Sequence, residues 1–136
     1  MTPFLFVYAS LRSGFKNPAY AYITQFFERI GEGEVDGQFY LQHNIPVAVP
    51  SHKGKITGEL YALKDAGMFN WAMCQLDDYE GVDVETDEVQ LYRRCASQVF
   101  FNDETIQAWI YWYKGEIAGK PEITSGDMLE YFATKK

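Results

Sequence analysis

Apolar positions along this chain recur in short strand-like runs more often than in helical stripes. Phe4 to Tyr8 is a compact apolar and aromatic run, read as a buried strand that empties into the polar stretch Ala9-Ser10-Leu11-Arg12-Ser13-Gly14. Asn17-Pro18 then opens a helix with proline at its first position, Tyr22, Phe26 and Ile30 continue it at i, i+4 spacing, and Gly31 closes it. Gly31 to Tyr40 alternates weakly around three glycines, as in a strongly bent strand or strand pair. Pro46 and Pro50 limit Val47 to Val49 to a short edge strand. After a turn at Lys53-Gly54-Lys55, Ile56, Gly58, Leu60 and Ala62 face one way and Thr57, Glu59, Tyr61 and Leu63 the other. Both sides carry apolar residues, so this strand is partly covered on both faces.

The clearest helical stripe runs from Phe69 to Gly81. At about 100° per residue, Phe69, Ala72, Met73, Leu76 and Glu80 share one face, Asp78 points away and Asp77 lies on the flank. Asp77 and Asp78 therefore read as solvated. Asp65 suits the N-cap, and Gly81 can take the left-handed conformation that ends a helix. Glu80 is thus an acidic side chain in a last turn, on the face that otherwise packs into the core. Partial desolvation and the negative end of the helix dipole both favour its protonated form, which suits a general acid and base. The plainer alternative is a rim glutamate that snorkels to water.

Val82 to Glu88 holds four acidic residues and reads as an exposed connection. Val89 to Phe101 and Thr105 to Tyr113, rich in β-branched and aromatic residues, form a hairpin across Asn102-Asp103-Glu104. Lys114 to Ser125 reads as a loop and Met128 to Phe132 as a short helical turn. The sum is an α+β chain with at least five strands, more strand than helix, and a sheet that curves or closes to protect its edges.

Composition narrows the function more by exclusion than by assignment. A length of 136 residues with 47% hydrophobic side chains fits one domain spanning 1–136 and one sizeable core. The 17% aromatic share makes that core, and any pocket wall, aromatic. A net charge of −7 without a basic run argues against a nucleic-acid partner or an anionic membrane surface. Cys74 and Cys95 show no CxxC or zinc spacing and read as reduced structural thiols, while His43 and His52 are too isolated for a metal site. The first residues lack a basic segment followed by a long apolar one, so the expected location is cytoplasmic.

Five blocks in order resemble the gamma-glutamylcyclotransferase-like family: Phe6-Val7-Tyr8-Ala9-Ser10-Leu11-Arg12-Ser13-Gly14, Gly58-Glu59-Leu60-Tyr61, Leu76-Asp77-Asp78-Tyr79-Glu80-Gly81, Leu91-Tyr92-Arg93-Arg94 and Ala108-Trp109-Ile110-Tyr111. The resemblance runs from Phe4 to about Asp127. It implies a small mixed β-barrel of about five to seven strands with two main helices around it, and a pocket formed by the first loop and the acidic helix end. The implied reaction turns a γ-glutamyl amide or peptide into 5-oxoproline and a free amine, without cofactor or metal. The implied partner is a small γ-glutamyl substrate. Glu80 aligns with the family's catalytic glutamate; Tyr8, Ala9, Ser10 and Leu11 align with its substrate-binding loop, whose N–H groups form an anion-binding nest. Ala9 departs from the family's usual glycine, and the resemblance implies that its added methyl group leaves less room for substrate there than glycine would.

Three alternatives stay open on sequence. Tyr8 to Leu11 also reads as a plain strand exit. Arg93 and Arg94 also read as surface charges paired with acids such as those of Val82 to Glu88. A noncatalytic protein that binds a small carboxylate-bearing ligand on the same fold also accommodates Ala9.

Overall fold

The computed structural model describes residues 3–8, 20–42, 45–80, 92–123, 126–128 and 131; the side chains of Tyr20, Tyr22, Gln42, Ile45, Asp78, Tyr79 and Glu80 lie outside that description. The elements run β1 (Phe4–Val7), α1 (Tyr20–Phe26), β2 (Phe27–Gln42), β3 (Ile45–Leu63), α2 (Phe69–Glu80), β4 (Tyr92–Phe101), β5 (Glu104–Tyr113) and β6 (Glu122–Ile123). The sheet order is β3-β1-β5-β4-β2-β6, and an added β2–β3 pairing bends five of the strands into a ring. Pairing is antiparallel except between β1 and β5, where Leu5 lies opposite Trp109. The expected α+β class, mixed strand direction and closed sheet are all present.

Closure depends on how far β2 and β3 bend. Their ladder slips between Arg29 and Gly31 and again between Asp36 and Gly37, where the partner changes from Lys55 to Pro50 and Ser51 to Gly54 are left over. Extra residues on one strand of a ladder increase local twist and bend. The β4–β5 hairpin is tight: Asn102 and Asp103 have φ of 48° and 63°, the left-handed pair that a two-residue turn requires and that Asn and Asp tolerate.

Alternation along the strands builds two cores. Phe6, Leu60, Ile110 and Trp112 point inward with Val35, Phe39, Ile56 and Val99. Their sequence neighbours Leu5, Val7, Tyr61 and Tyr111 point outward and are covered by Ile23 and Phe26 of α1 and Ala72, Met73 and Leu76 of α2. Each fully buried side chain of Leu, Ile or Met size contributes about 1.5–3 kcal/mol relative to leaving it in water. Ala72, Met73 and Leu76 of the predicted stripe thus lie on the packing face of α2, with Phe69 against the same core. Inside the ring the backbones crowd: a Cβ on Gly58 would lie 2.3 Å from the Val7 carbonyl oxygen and 2.5 Å from Phe6 Cζ.

Several boundaries differ from the sequence expectation. The first helix stops at Phe26, and Ile30, taken as its last apolar position, sits 41% exposed in β2. Val47 to Val49 belongs to the 19-residue β3. Pro46 and Pro50 are tolerated there because this half of β3 pairs, among the described residues, with β2 on one side only. The expected 114–125 loop contains β6, which pairs with Phe39 and Tyr40. Asp65 does cap, but it caps a 3₁₀ turn, Ala66–Met68, that leads into α2; its carboxylate accepts from the Gly67 N–H at 2.9 Å. No helix among the described residues is long and apolar enough to cross a membrane.

Candidate functional site

β1 ends at Val7, and Tyr8 follows it with only 8% of its surface exposed. Its ring stacks on Trp112, centroids 6.1 Å apart, and meets Phe39 edge-on at 5.6 Å. The hydroxyl donates to the backbone carbonyl of Tyr111. The parallel pairing of β1 with β5 sets up this reach, because it runs the end of β1 alongside the last residues of β5.

Tyr111 turns its side chain to the outer face, under α2. There its hydroxyl donates to Asp77 Oδ1 at 2.6 Å. Asp77 also accepts from Arg94, Nε to Oδ1 at 2.7 Å and Nη2 to Oδ2 at 3.0 Å. The Arg94 guanidinium lies 4.7 Å over the Trp109 ring, and Phe69 at the start of α2 packs 6.3 Å from the same ring. Planar, bidentate pairing combined with stacking is the arrangement for which arginine, unlike lysine, is suited. Asp77 is therefore anchored, not solvated as its flank position implied. Arg94 pairs with a helix residue, where sequence pointed to the acids of Val82 to Glu88, a stretch outside the described residues.

Glu80 is the last residue of α2, three positions after Asp77, about 4.5 Å further along the axis. The described structure thus joins the exit of β1 and the final turn of α2 through one residue, Tyr111. Of the sequence-derived site residues, Tyr8 is described in full and Glu80 in backbone only; Ala9, Ser10 and Leu11 lie outside the described residues.

A second carboxylate lies beside the end of β1. Glu59, opposite Val7 in the ladder, is 2% exposed, accepts from the Tyr61 hydroxyl at 2.8 Å, and has Arg29 Nη2 at 3.6 Å. Strand alternation places Glu59 and Tyr61 on the same, partly covered face, but the sequence alone does not single out Glu59 as a buried carboxylate held by Tyr61 and Arg29. Among the described residues, no three His, Cys, Asp or Glu side chains gather as a metal site requires. A groove of about 650 Å³ at the β4–β5 turn is lined by Glu32, Glu34, Phe100 and Asp103 among others, without Tyr8 or any residue of α2.

Residues 5–130 match the family described as gamma-glutamyl cyclotransferase, AIG2-like. No curated protein matches the sequence. Among solved structures, YkqA from Bacillus subtilis is similar with a TM-score of 0.70 and 22% identity, over 100% of this chain and 44% of YkqA, so the chain spans less than half of that protein's length. PH0828 from Pyrococcus horikoshii is similar with a TM-score of 0.64 and 25% identity, over 99% of this chain and 100% of that one. A structure of a gamma-glutamyl cyclotransferase is similar with a TM-score of 0.55 and 11% identity, over 88% of this chain and 68% of that one. These structural likenesses speak to the fold; the sequence match covers nearly the whole length, and the chain belongs to the gamma-glutamyl cyclotransferase, AIG2-like family.

Proposed function

We propose that this protein converts a γ-glutamyl amide or peptide to 5-oxoproline and releases the free amine, with Glu80 as general acid and base and Tyr8, Ala9, Ser10 and Leu11 as the binding loop. The family match carries this reading. It is supported by the way Tyr111 ties the start of that loop to the turn of α2 that ends in Glu80.

The reaction needs the substrate's own α-nitrogen as nucleophile. Glu80, ionised, takes a proton from the α-ammonium group, and the freed amine attacks the γ-carbonyl carbon to close a five-membered ring. Folding the glutamyl chain back makes this step intramolecular, which replaces the entropy cost of a second reactant. N–H groups of the Ala9 to Leu11 stretch stabilise the oxyanion of the tetrahedral intermediate. The former amide C–N bond breaks as protonated Glu80 returns its proton to the departing nitrogen. Over the cycle the α-nitrogen loses two protons: Glu80 carries one to the departing nitrogen, and the ring nitrogen gives up the second after attack to solvent, from which the released amine takes a proton as it becomes an ammonium ion, so Glu80 ends as it began.

The test is release of 5-oxoproline from a panel comprising a γ-glutamyl peptide, a γ-glutamyl alkylamide and Nε-(γ-glutamyl)lysine. Turnover of any member supports the reading, and the preferred member identifies the leaving amine. Binding of 5-oxoproline without turnover of any member would favour the noncatalytic ligand-binding protein to which Ala9 points.

A further inference from the structure

We infer that Tyr111 and Asp77 are positioning residues that hold the final turn of α2 at a fixed separation from the exit of β1, an inference that rests on the reading of Glu80 as acid and base. Tyr111 offers one polar group to each half of the site. Its carbonyl receives the Tyr8 hydroxyl, and its own hydroxyl reaches Asp77 at 2.6 Å. Asp77 is held a second time, by two nitrogens of Arg94, whose guanidinium is itself braced over Trp109. The carboxylate and guanidinium side chains are only 15% and 23% exposed, so these bonds are partly shielded from competing water.

The end of a helix is where backbone hydrogen bonds run out, and a last turn frays unless something ties it down. Asp77 supplies that tie three residues before Glu80. The core contacts of Ala72, Met73 and Leu76 hold the body of α2 independently. The Arg94 cation also balances Asp77, so the tie adds no net negative charge beside the residue that must ionise. A shuttling carboxylate has to stay within hydrogen-bond reach of two nitrogens in succession, and a misplacement of about 1 Å can cost on the order of 10² in rate.

The experiment uses the full chain and a γ-glutamyl alkylamide. Tyr111→Phe removes one hydroxyl and keeps the ring in the outer core; Asp77→Asn keeps the shape and removes the charge. Each is assayed for kcat, KM, thermal unfolding and 5-oxoproline binding, beside Glu80→Gln and the Glu80→Gln/Tyr111→Phe double variant. The expected result is a folded Tyr111→Phe protein with kcat lowered by about 10- to 100-fold, KM and 5-oxoproline affinity within about twofold of the parent, and a double variant no slower than Glu80→Gln alone. Asp77→Asn should behave alike. Parental kcat in both folded single variants, with Glu80→Gln inactive, would overturn the positioning role and leave the proposed function standing. Failure of both to fold would make their role structural and overturn the inference. Parental kcat in Glu80→Gln would overturn the proposed function first, and this inference with it.

Discussion

Arg94 meets Asp77 through two nitrogens, at 2.7 and 3.0 Å, and so fastens β4 to the last turn of α2. The two residues are 17 positions apart, with the acidic stretch between them. Arg94→Ala should destabilise the protein by about 1–3 kcal/mol, because it leaves a mostly covered carboxylate without its cation. Arg94→Lys should restore only part of that loss, since an ammonium cannot reproduce the fork or the stacking on Trp109. Chemical denaturation of the three proteins checks the order parent, lysine, alanine.

Gly58→Ala is expected to cost more, about 3 kcal/mol or above, since the new Cβ would meet the Val7 carbonyl and the Phe6 ring at distances real side chains do not adopt. Because Val7 immediately precedes Tyr8, the strain should also reach the proposed loop. Thermal unfolding measures the first effect and 5-oxoproline affinity the second. A variant with parental stability would show that β1 and β3 do not approach as closely as described.

How much of this was legible in advance follows from the range of each interaction. The apolar part of the α2 stripe, Phe69 to Leu76, and the β4–β5 hairpin depend on spacing within a dozen residues, and both stand where the pattern put them. The α1 boundary failed because Phe26 and Ile30 fit helical spacing equally well, whereas the ladder of Phe27 with Leu63, 36 positions away, makes the next residue a strand. For the same reason β3 looked broken at its prolines: only the pairing partner reveals that one side of it is open. Asp77 looked solvated because its partners are 17 and 34 positions distant, in other elements. Tyr8 and Glu80 came into view through a whole-chain resemblance, and Tyr111, which joins their elements, did not stand out among ten tyrosines.

Glu59 offers a third check, on the outer face of the sheet. Tyr61→Phe removes a hydroxyl donor from a carboxylate that is only 2% exposed, and should cost about 1–3 kcal/mol with little change in packing. Glu59→Gln in the Tyr61→Phe background should be milder than Tyr61→Phe predicts by simple addition, because a neutral amide needs the missing donor less. A double-mutant cycle by denaturation decides it; strict additivity would contradict the pairing.

The central claim is that proton transfer by Glu80 drives ring closure. The most direct measurement is 5-oxoproline release by Glu80→Gln, with thermal unfolding recorded on the same preparation. The two side chains are nearly the same size, so the Ala72, Met73 and Leu76 contacts of α2 should survive and the protein should unfold close to the parental temperature. Removal of a positioned acid–base group costs about 10² to 10⁴ in rate, and this one is asked to serve both transfers. The account predicts a folded protein whose 5-oxoproline release falls by about a hundredfold or more. A folded Glu80→Gln protein that releases 5-oxoproline at the parental rate would contradict it.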